Sequence, residues 1–411
     1  MWDVLPEMSA SETHDNDSFK RHRKFSNDNS EEYNEPHSFK SKMSGETHYA
    51  GGETLYTRNK QNQNWHNDDG SRFRQWNSPR QGKFQDKSVF NKPKKDNFSE
   101  DSFEEVPSPN KPRNYTISIA VPASILEETC IKDELRTYVV GQIARAANIY
   151  SIDEIVVYDD RSRKRKFASV TSSNTKDCLE MMRMLLEYQE CPQYLRKYLF
   201  PFHSYLRMVG VLNALNSPHH LLSHQWCEYR EGVVLEKGSK CESYVDVGLG
   251  VDVEIQQKLE PGLRVTVKMP PEAQVMRKPY GVVVSPDEPR LTAGYYWGYT
   301  VRVAESLSEV VAGSRFPDGY DLLIGTSDKG DDVRKTEYPT FSHALVVFGG
   351  VEGLEAAIDA DNKLEASEPL QLFDYYNNTC PLQQTRTIRT EEAVLISLCV
   401  LQDKLVPKGK L

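Results

Sequence analysis

The segment His343-Ala-Leu-Val-Val-Phe-Gly-Gly350 constrains this chain more than any other. It is a short, unbroken apolar run closed by two glycines, the pattern of a strand buried on both faces of a parallel sheet. Glu154–Tyr158 (EIVVY) and Asp321–Gly325 (DLLIG) repeat it, the second ending in Thr326-Ser327. Thr116–Val121 reads as a further strand, after which Pro122-Ala123-Ser124 turns the chain toward a helix. Between these runs the spacing becomes helical. Asp133–Tyr150 carries Leu135, Tyr138, Val139, Ile143, Ala146 and Ala147 in that rhythm, and Asp177–Gln189 carries Leu179, Met182, Leu185 and Leu186. A short helix through Tyr198 follows Cys191-Pro192, and Val301–Val311 is expected to be helical. Alternating strands and helices predict an α/β class fold.

In such folds ligands collect where loops leave the carboxyl ends of the strands. Three stretches qualify. Gly349, Gly350 and Gly353 allow a close backbone approach after one buried strand. The apolar, aromatic run Leu370–Tyr376 leads into Asn377-Asn378-Thr379-Cys380-Pro381. In Thr387-Ile388-Arg389-Thr390-Glu391-Glu392, Thr390 is placed to cap a helix whose first turn holds two acids. That helix, Glu391–Leu401, is apolar nearly all round, so it is either deeply buried or shared with a partner subunit. Together the loops predict a pocket without naming its ligand.

The grammar changes between residues 229 and 290. Glu231–Leu235, Ser243–Val247, Val251–Ile255, Leu263–Met269 and Tyr280–Val284 are short β-prone runs separated by Gly248, Gly250, Pro261-Gly262 and Pro270-Pro271. Five such strands predict a small OB-like barrel, with a plain β-meander as the alternative. The chain therefore divides into a polar tail (1–114), an α/β part (115–228), the barrel insert (229–290) and the rest of the α/β part (291–405). The tail has no isoleucine and only Leu5 and Leu55 as leucines, so it is expected to be disordered. Its Arg72–Lys95 stretch mixes basic residues with Phe73, Trp76, Phe84 and Phe90, a composition suited to single-stranded RNA or simply to solvent.

A net charge of −9 argues against nonspecific nucleic-acid binding, though a local basic patch escapes that argument. The run Arg161, Arg163, Lys164, Arg165 and Lys166 reads as an RNA-contacting loop, a nuclear-import signal or an ordinary solvated loop. Seven cysteines without a CxxC pair, no secretory signal and no long apolar run give the expectation of a soluble, reduced, intracellular chain. No metal is expected, because the spacing of His219, His220, His224 and Cys227 fits no common zinc pattern. Asp359–Lys363 puts a lysine where a calcium loop needs oxygen, and no nucleotide-phosphate loop or nucleophile elbow is present.

Several runs nonetheless carry a specific likeness. Glu134-Leu-Arg-Thr-Tyr138, Gly141-Gln-Ile-Ala-Arg145, Cys191-Pro-Gln-Tyr-Leu-Arg196, Ser217-Pro-His-His220, Arg230-Glu-Gly232 and Gly294-Tyr-Tyr-Trp-Gly-Tyr-Thr300 occur in order. His343 to Gly350, Asn378 to Pro381 and Arg386 to Glu392 follow them. From Tyr115 to about Leu401 the chain resembles the SPOUT RNA methyltransferases, specifically the eukaryotic and archaeal branch that contains a centromere-associated vertebrate member. The resemblance implies a trefoil-knotted α/β domain with an OB-like insertion, working as a homodimer with S-adenosyl-L-methionine as cofactor. It implies cofactor loops at Gly325, Thr326 and Ser327; Val347, Phe348, Gly349 and Gly350; Asn378, Thr379, Cys380 and Pro381; and Ile388, Thr390, Glu391 and Ala393. Arg389, Glu392 and Arg145 are the expected catalytic residues, with Arg136 and the basic run on RNA. The implied reaction transfers a methyl group to a base nitrogen of ribosomal RNA, a uridine first, in the nucleus or nucleolus with some cytoplasmic presence. The alternative is a noncatalytic RNA- or protein-binding scaffold that keeps the fold.

Overall fold

The computed structural model describes residues 104–106, 111–128, 132–161, 172–237 and 242–410. The tail up to residue 103, with its Arg72–Lys95 stretch, and Arg163, Lys164, Arg165 and Lys166 lie outside the described residues. A six-stranded, wholly parallel sheet organises the α/β part. Its order is β10 (Thr300–Ala304), β3 (Glu154–Tyr158), β2 (Thr116–Pro122), β12 (His343–Val347), β11 (Leu322–Asp332) and β13 (Tyr375–Asn378). All of β2 and β3 is buried, as their position between covering layers demands.

Each face of the sheet has its own helices. α1 is the single turn Ile125–Glu128, followed by α2 (Asp133–Ile149), α3 (Ser172–Glu190) and the short α4 (Arg196–Leu199). Val140 and Ile143 of α2 and Met182 and Leu185 of α3 bury with Ile119, Val121 and Ile155 of the sheet. On the other face Ala120, Val156 and Tyr158 meet α5 (Leu307–Ala312) and α6 (Gly353–Asp359) through Leu307, Val310, Leu354 and Ile358. Each fully buried Ile or Leu here contributes about 2 kcal/mol. After the turn α7 (Pro369–Leu372), α8 (Thr390–Leu405) returns to the first face and packs Val394, Leu398 and Leu401 there.

The insert is a closed barrel of β5 (Tyr229–Val234), β6 (Ser243–Asp246), β7 (Val253–Ile255), β8 (Arg264–Lys268) and β9 (Tyr280–Val284). Its order is β5-β6-β7-β9-β8; β7 and β9 are parallel and the other four pairs antiparallel. This is the OB-like topology expected of residues 229–290. A buried polar network joins the barrel to the end of α3 and the loop before β10. Arg264 Nε donates to Glu231 Oε2 at 2.7 Å and its Nη1 to Glu190 Oε2 at 2.7 Å. Glu231 Oε1 also accepts from Thr266 Oγ1 at 2.6 Å and from Trp297 Nε1 at 2.5 Å. Burial opposes the Glu190 charge, but Arg264 and His219 outweigh it and hold the carboxyl below its usual range. His219 and His220 both hydrogen-bond the Glu190 carbonyl, at 3.0 and 2.6 Å, which accounts for the histidine pair in structural terms.

Three readings need correction. Val301–Val311 is not one helix: Thr300–Ala304 is the edge strand β10, paired with β3, and helix begins at Leu307. Periodicity cannot separate a β-branched strand from a buried helix when both are apolar. Order also begins before Tyr115. β1 (Glu104–Glu105) pairs with β4 (Gln225–Trp226), and Arg113 forms a two-pronged ion pair with Asp153 at 2.8 Å. Finally, Arg389 rather than Thr390 is the N-cap of α8, its amide donating to Glu392 Oε2 at 3.0 Å.

Candidate active site

Three adjacent parallel strands, β12, β11 and β13, end on the same side of the sheet, so their outgoing loops converge. Short hydrogen bonds lock these loops together. Thr326 Oγ1 donates to the Val347 carbonyl at 3.0 Å, and Asn378 Nδ2 donates to the Asp328 carbonyl at 2.8 Å. Thr390 Oγ1 donates to the Gly349 carbonyl at 3.0 Å, which places the start of α8 against the loop after β12. The Thr379 and Ser397 hydroxyls meet at 2.7 Å. Between the loops lies a cavity of about 370 Å³, within the usual range for small-ligand sites.

Of the expected cofactor residues, Thr326, Ser327, Phe348, Gly349, Gly350, Asn378, Thr379, Cys380, Ile388, Thr390, Glu391 and Ala393 line this cavity. Gly325, Val347 and Pro381 do not. Gly325 and Val347 pair with one another in the sheet just below it, and a Cβ on Gly325 would stand 2.7 Å from the Phe373 ring. The cavity also takes in Gly353, Arg386 and Thr387, which belong to the motifs but not to the expected cofactor residues, and Ile125, Asp328, Val351, Gln383 and Ser397, which the motif pattern does not single out.

The two glycines are needed for close approach. A Cβ on Gly349 would lie 2.7 Å from the Leu354 amide nitrogen, and one on Gly350 would lie 2.6 Å from Asp160 Oδ2 and 2.8 Å from Ser124 Oγ. Asp160 thus stands directly behind the cavity wall. Ser124 Oγ donates to its Oδ2 at 2.6 Å, while its buried Oδ1 has no hydrogen-bond partner. Burial pushes its carboxyl up to about 6, against the lowering effect of the Ser124 bond. Ser124 and Asp160 follow β2 and β3, so the rule of carboxyl strand ends could have found them.

The charged residues divide between two places. Arg389 lines the cavity with Arg386; both are exposed and neither forms an ion pair among the described residues. Glu391 is buried, and its Oε2 has no hydrogen-bond partner. Arg145 and Glu392, expected to be catalytic, lie instead along a neighbouring groove between α2 and α8, which Glu391 also borders. Arg145 donates to the Ala214 and Leu215 carbonyls at 3.1 and 2.6 Å, a role in holding chain, and Glu392 caps α8. Arg136 donates to the Leu126 carbonyl at 3.0 Å, and Arg161 pairs with Glu127 at 3.5 Å; neither lines the cavity.

Residues 116–401, which include every residue lining the cavity, match a family described as "Putative RNA methyltransferase". A protein of Mus musculus named 28S rRNA (uridine-N(3))-methyltransferase is 51% identical over 308 residues, covering 73% of this chain and 79% of its own length. The protein of the same name from Homo sapiens is 50% identical, over 72% of this chain and 80% of that one. Among solved structures, the SpoU methyltransferase AviRb from Streptomyces viridochromogenes aligns at a TM-score of 0.27 and 11% identity, covering 74% of this chain and 62% of that one. That distance is too great to assign roles to residues. The family match across the sheet, the barrel and the cavity, together with relatives half identical to it, places the chain in this RNA methyltransferase family.

Proposed function

We propose that this chain uses S-adenosylmethionine to methylate N3 of a uridine in 28S ribosomal RNA. The observation that carries the reading is the cavity itself: every residue lining it falls inside the span shared with the RNA methyltransferase family, whose mouse and human members bear that activity as their name. Its walls fit the cofactor. The Gly349-Gly350 backbone, Phe348 and Ile388 line it with apolar side chains and backbone polar groups, and the sequence carries no nucleotide-phosphate loop. The partnerless oxygen of buried Glu391 suits a cationic ligand.

Bound there, S-adenosylmethionine supplies a methyl group already activated by the sulfonium. The chain's own residues must then position the base and accept its N3 proton. Arg389 and Arg386, exposed and without an ion pair among the described residues, are placed to hold a phosphate or the base oxygens where negative charge develops. Glu392 is engaged in capping α8, so its neighbour Glu391, which lines the cavity, is the acid left to take the proton.

The same reading includes a homodimer. Leu135, Tyr138 and Ile149 of α2, Val211, and Leu395 of α8 are each 42–51% exposed, several of them along the groove that Glu391 shares with the cavity. A second copy covering this face would bury them beside the cofactor. Nuclear residence belongs to the reading too, and localisation of the tagged chain checks it. The decisive experiment incubates purified chain with tritiated S-adenosylmethionine and 28S transcript, then maps reverse-transcription stops at N3-methylated uridine. Label absent from RNA, or found on ribose, overturns the proposal; light scattering that reports an active monomer removes the dimer.

A further inference from the structure

The outer surface of the barrel departs from what a small barrel needs for stability. In β9, Gly281 is buried and Val283 packs toward the barrel core, so Tyr280 and Val282 point outward, 45% and 65% exposed. The loop leading into β9 exposes Val275 (80%) and Met276 (39%), and Arg277 and Lys278 follow them, also exposed. Outward positions of such strands are ordinarily polar. Clustered apolar side chains there mark a contact surface.

The chemistry of the cluster selects the partner. Arg277 and Lys278 form no ion pair or side-chain hydrogen bond among the described residues, so two adjacent cations stand uncompensated beside an exposed tyrosine. Phosphate-binding cations next to a stacking ring make up the usual grip on single-stranded nucleic acid. The outward side of β8 is less suited to this, because Arg264 and Thr266 are held in the junction with Glu231 and Glu190 and Lys268 is paired with Glu288 at 3.1 Å. Carboxylates also bear on the surface. Glu254 of β7 is in register with Tyr280 on one side and with Tyr244 of β6 on the other, and Glu272 opens the loop. They repel phosphate and so keep a backbone on the Arg277–Lys278 side, whereas Glu254 can accept from a base N–H.

We propose that β9 and the loop before it form a docking site for a single-stranded RNA segment flanking the methylated nucleotide. Phosphates lie on Arg277 and Lys278, and a base stacks on Tyr280. The proposal rests on the RNA methyltransferase reading and adds where, outside the cavity, the substrate is held.

The test uses the full chain with two probes, a fluorescein-labelled oligouridylate of about 12 nucleotides and a 28S transcript. Tyr280→Ala should weaken binding of the oligonucleotide roughly ten-fold, and Tyr280→Phe, which keeps the ring, should not. Arg277→Ala with Lys278→Ala should weaken it and lower the salt slope by about 1.4, at about 0.7 per lost phosphate contact. Melting and S-adenosylmethionine affinity should stay as in the parent, because all three side chains are exposed. If the parent binds both probes and every variant matches it, the surface is not the RNA site and the proposal is overturned. If the parent itself binds neither RNA, the function reading fails first and takes this proposal with it.

Discussion

Replacing Gly350 by alanine tests the geometry of the cavity wall most directly. The new Cβ would lie 2.6 Å from Asp160 Oδ2 and 2.8 Å from Ser124 Oγ, well inside contact distance. Both side chains are short and Ser124 is fully buried, so neither can swing far. Overpacking of this kind costs about 1–3 kcal/mol. Parting the 2.6 Å Ser124–Asp160 hydrogen bond adds about 1–2 kcal/mol. Gly350 is not among the residues with positive φ, so alanine also restricts the unfolded chain and returns about 0.4–1 kcal/mol. The net expectation is a loss of about 2–4 kcal/mol, read as a lower urea midpoint at unchanged slope. Calorimetry should show weaker S-adenosylmethionine binding in the same variant, because Gly350 lines the cavity. In an Asp160→Ala background the carboxylate is gone, and the alanine should cost at least about 1 kcal/mol less. A Gly350→Ala protein as stable as the parent, or a double-mutant cycle with no coupling, would refute this account of the wall.

Three further outcomes are expected. With its carboxyl raised from 3.8 to about 6 in the folded state, Asp160 binds a proton more tightly folded than unfolded. Its stabilising contribution is therefore complete below about pH 4 and lost as pH rises through about 6. Asp160→Asn should remove that dependence, closing a gap of at most about 3 kcal/mol between pH 4 and 7 in urea titrations; parallel curves for parent and variant would count against it. Arg389→Ala should leave S-adenosylmethionine affinity within about three-fold while cutting methyl transfer about 100-fold, since its expected partner is the RNA; equal losses in both assays would move Arg389 to the cofactor. Arg113→Ala should cost about 1–3 kcal/mol by removing the two-pronged partner of buried Asp153, which keeps only Arg290 at 3.7 Å and the Ile117 amide, so a chain that retains Glu104 to Arg113 should melt like the parent and one starting at Tyr115 should not.

Some of this architecture was legible because its cause is local. The runs Ile155–Tyr158, Leu322–Ile324 and Ala344–Phe348 are apolar without interruption and too short for a buried helix, which suits a strand desolvated on both faces. The barrel was legible for the opposite reason: short β-prone runs cut by glycine and proline leave a small barrel or a meander, and the parallel pairing of β7 with β9 closes the barrel. Glycines and small polar residues after those strands likewise announced the cavity loops, and most of the expected cofactor residues do lie on its wall.

Other features arise only when distant segments meet. Thr300–Ala304 carries the same side chains in a helix or a strand; the free edge of β3 decides the matter. Thr390 has the chemistry of a cap, yet folding brings the Gly349 carbonyl within 3.0 Å of its hydroxyl and leaves the capping position to Arg389. Arg145 carries a cation suited to RNA until the Ala214 and Leu215 carbonyls close on it. Asp160 is one acid of an Asp-Asp pair in the sequence, and only the approach of Gly350 and Ser124 turns it into a buried carboxyl behind the cavity. A sequence determines where desolvation forces a strand or a turn, because that depends on neighbours along the chain. Which polar group finds a partner, and which is left without one, depends on neighbours in space, and that only the tertiary structure decides.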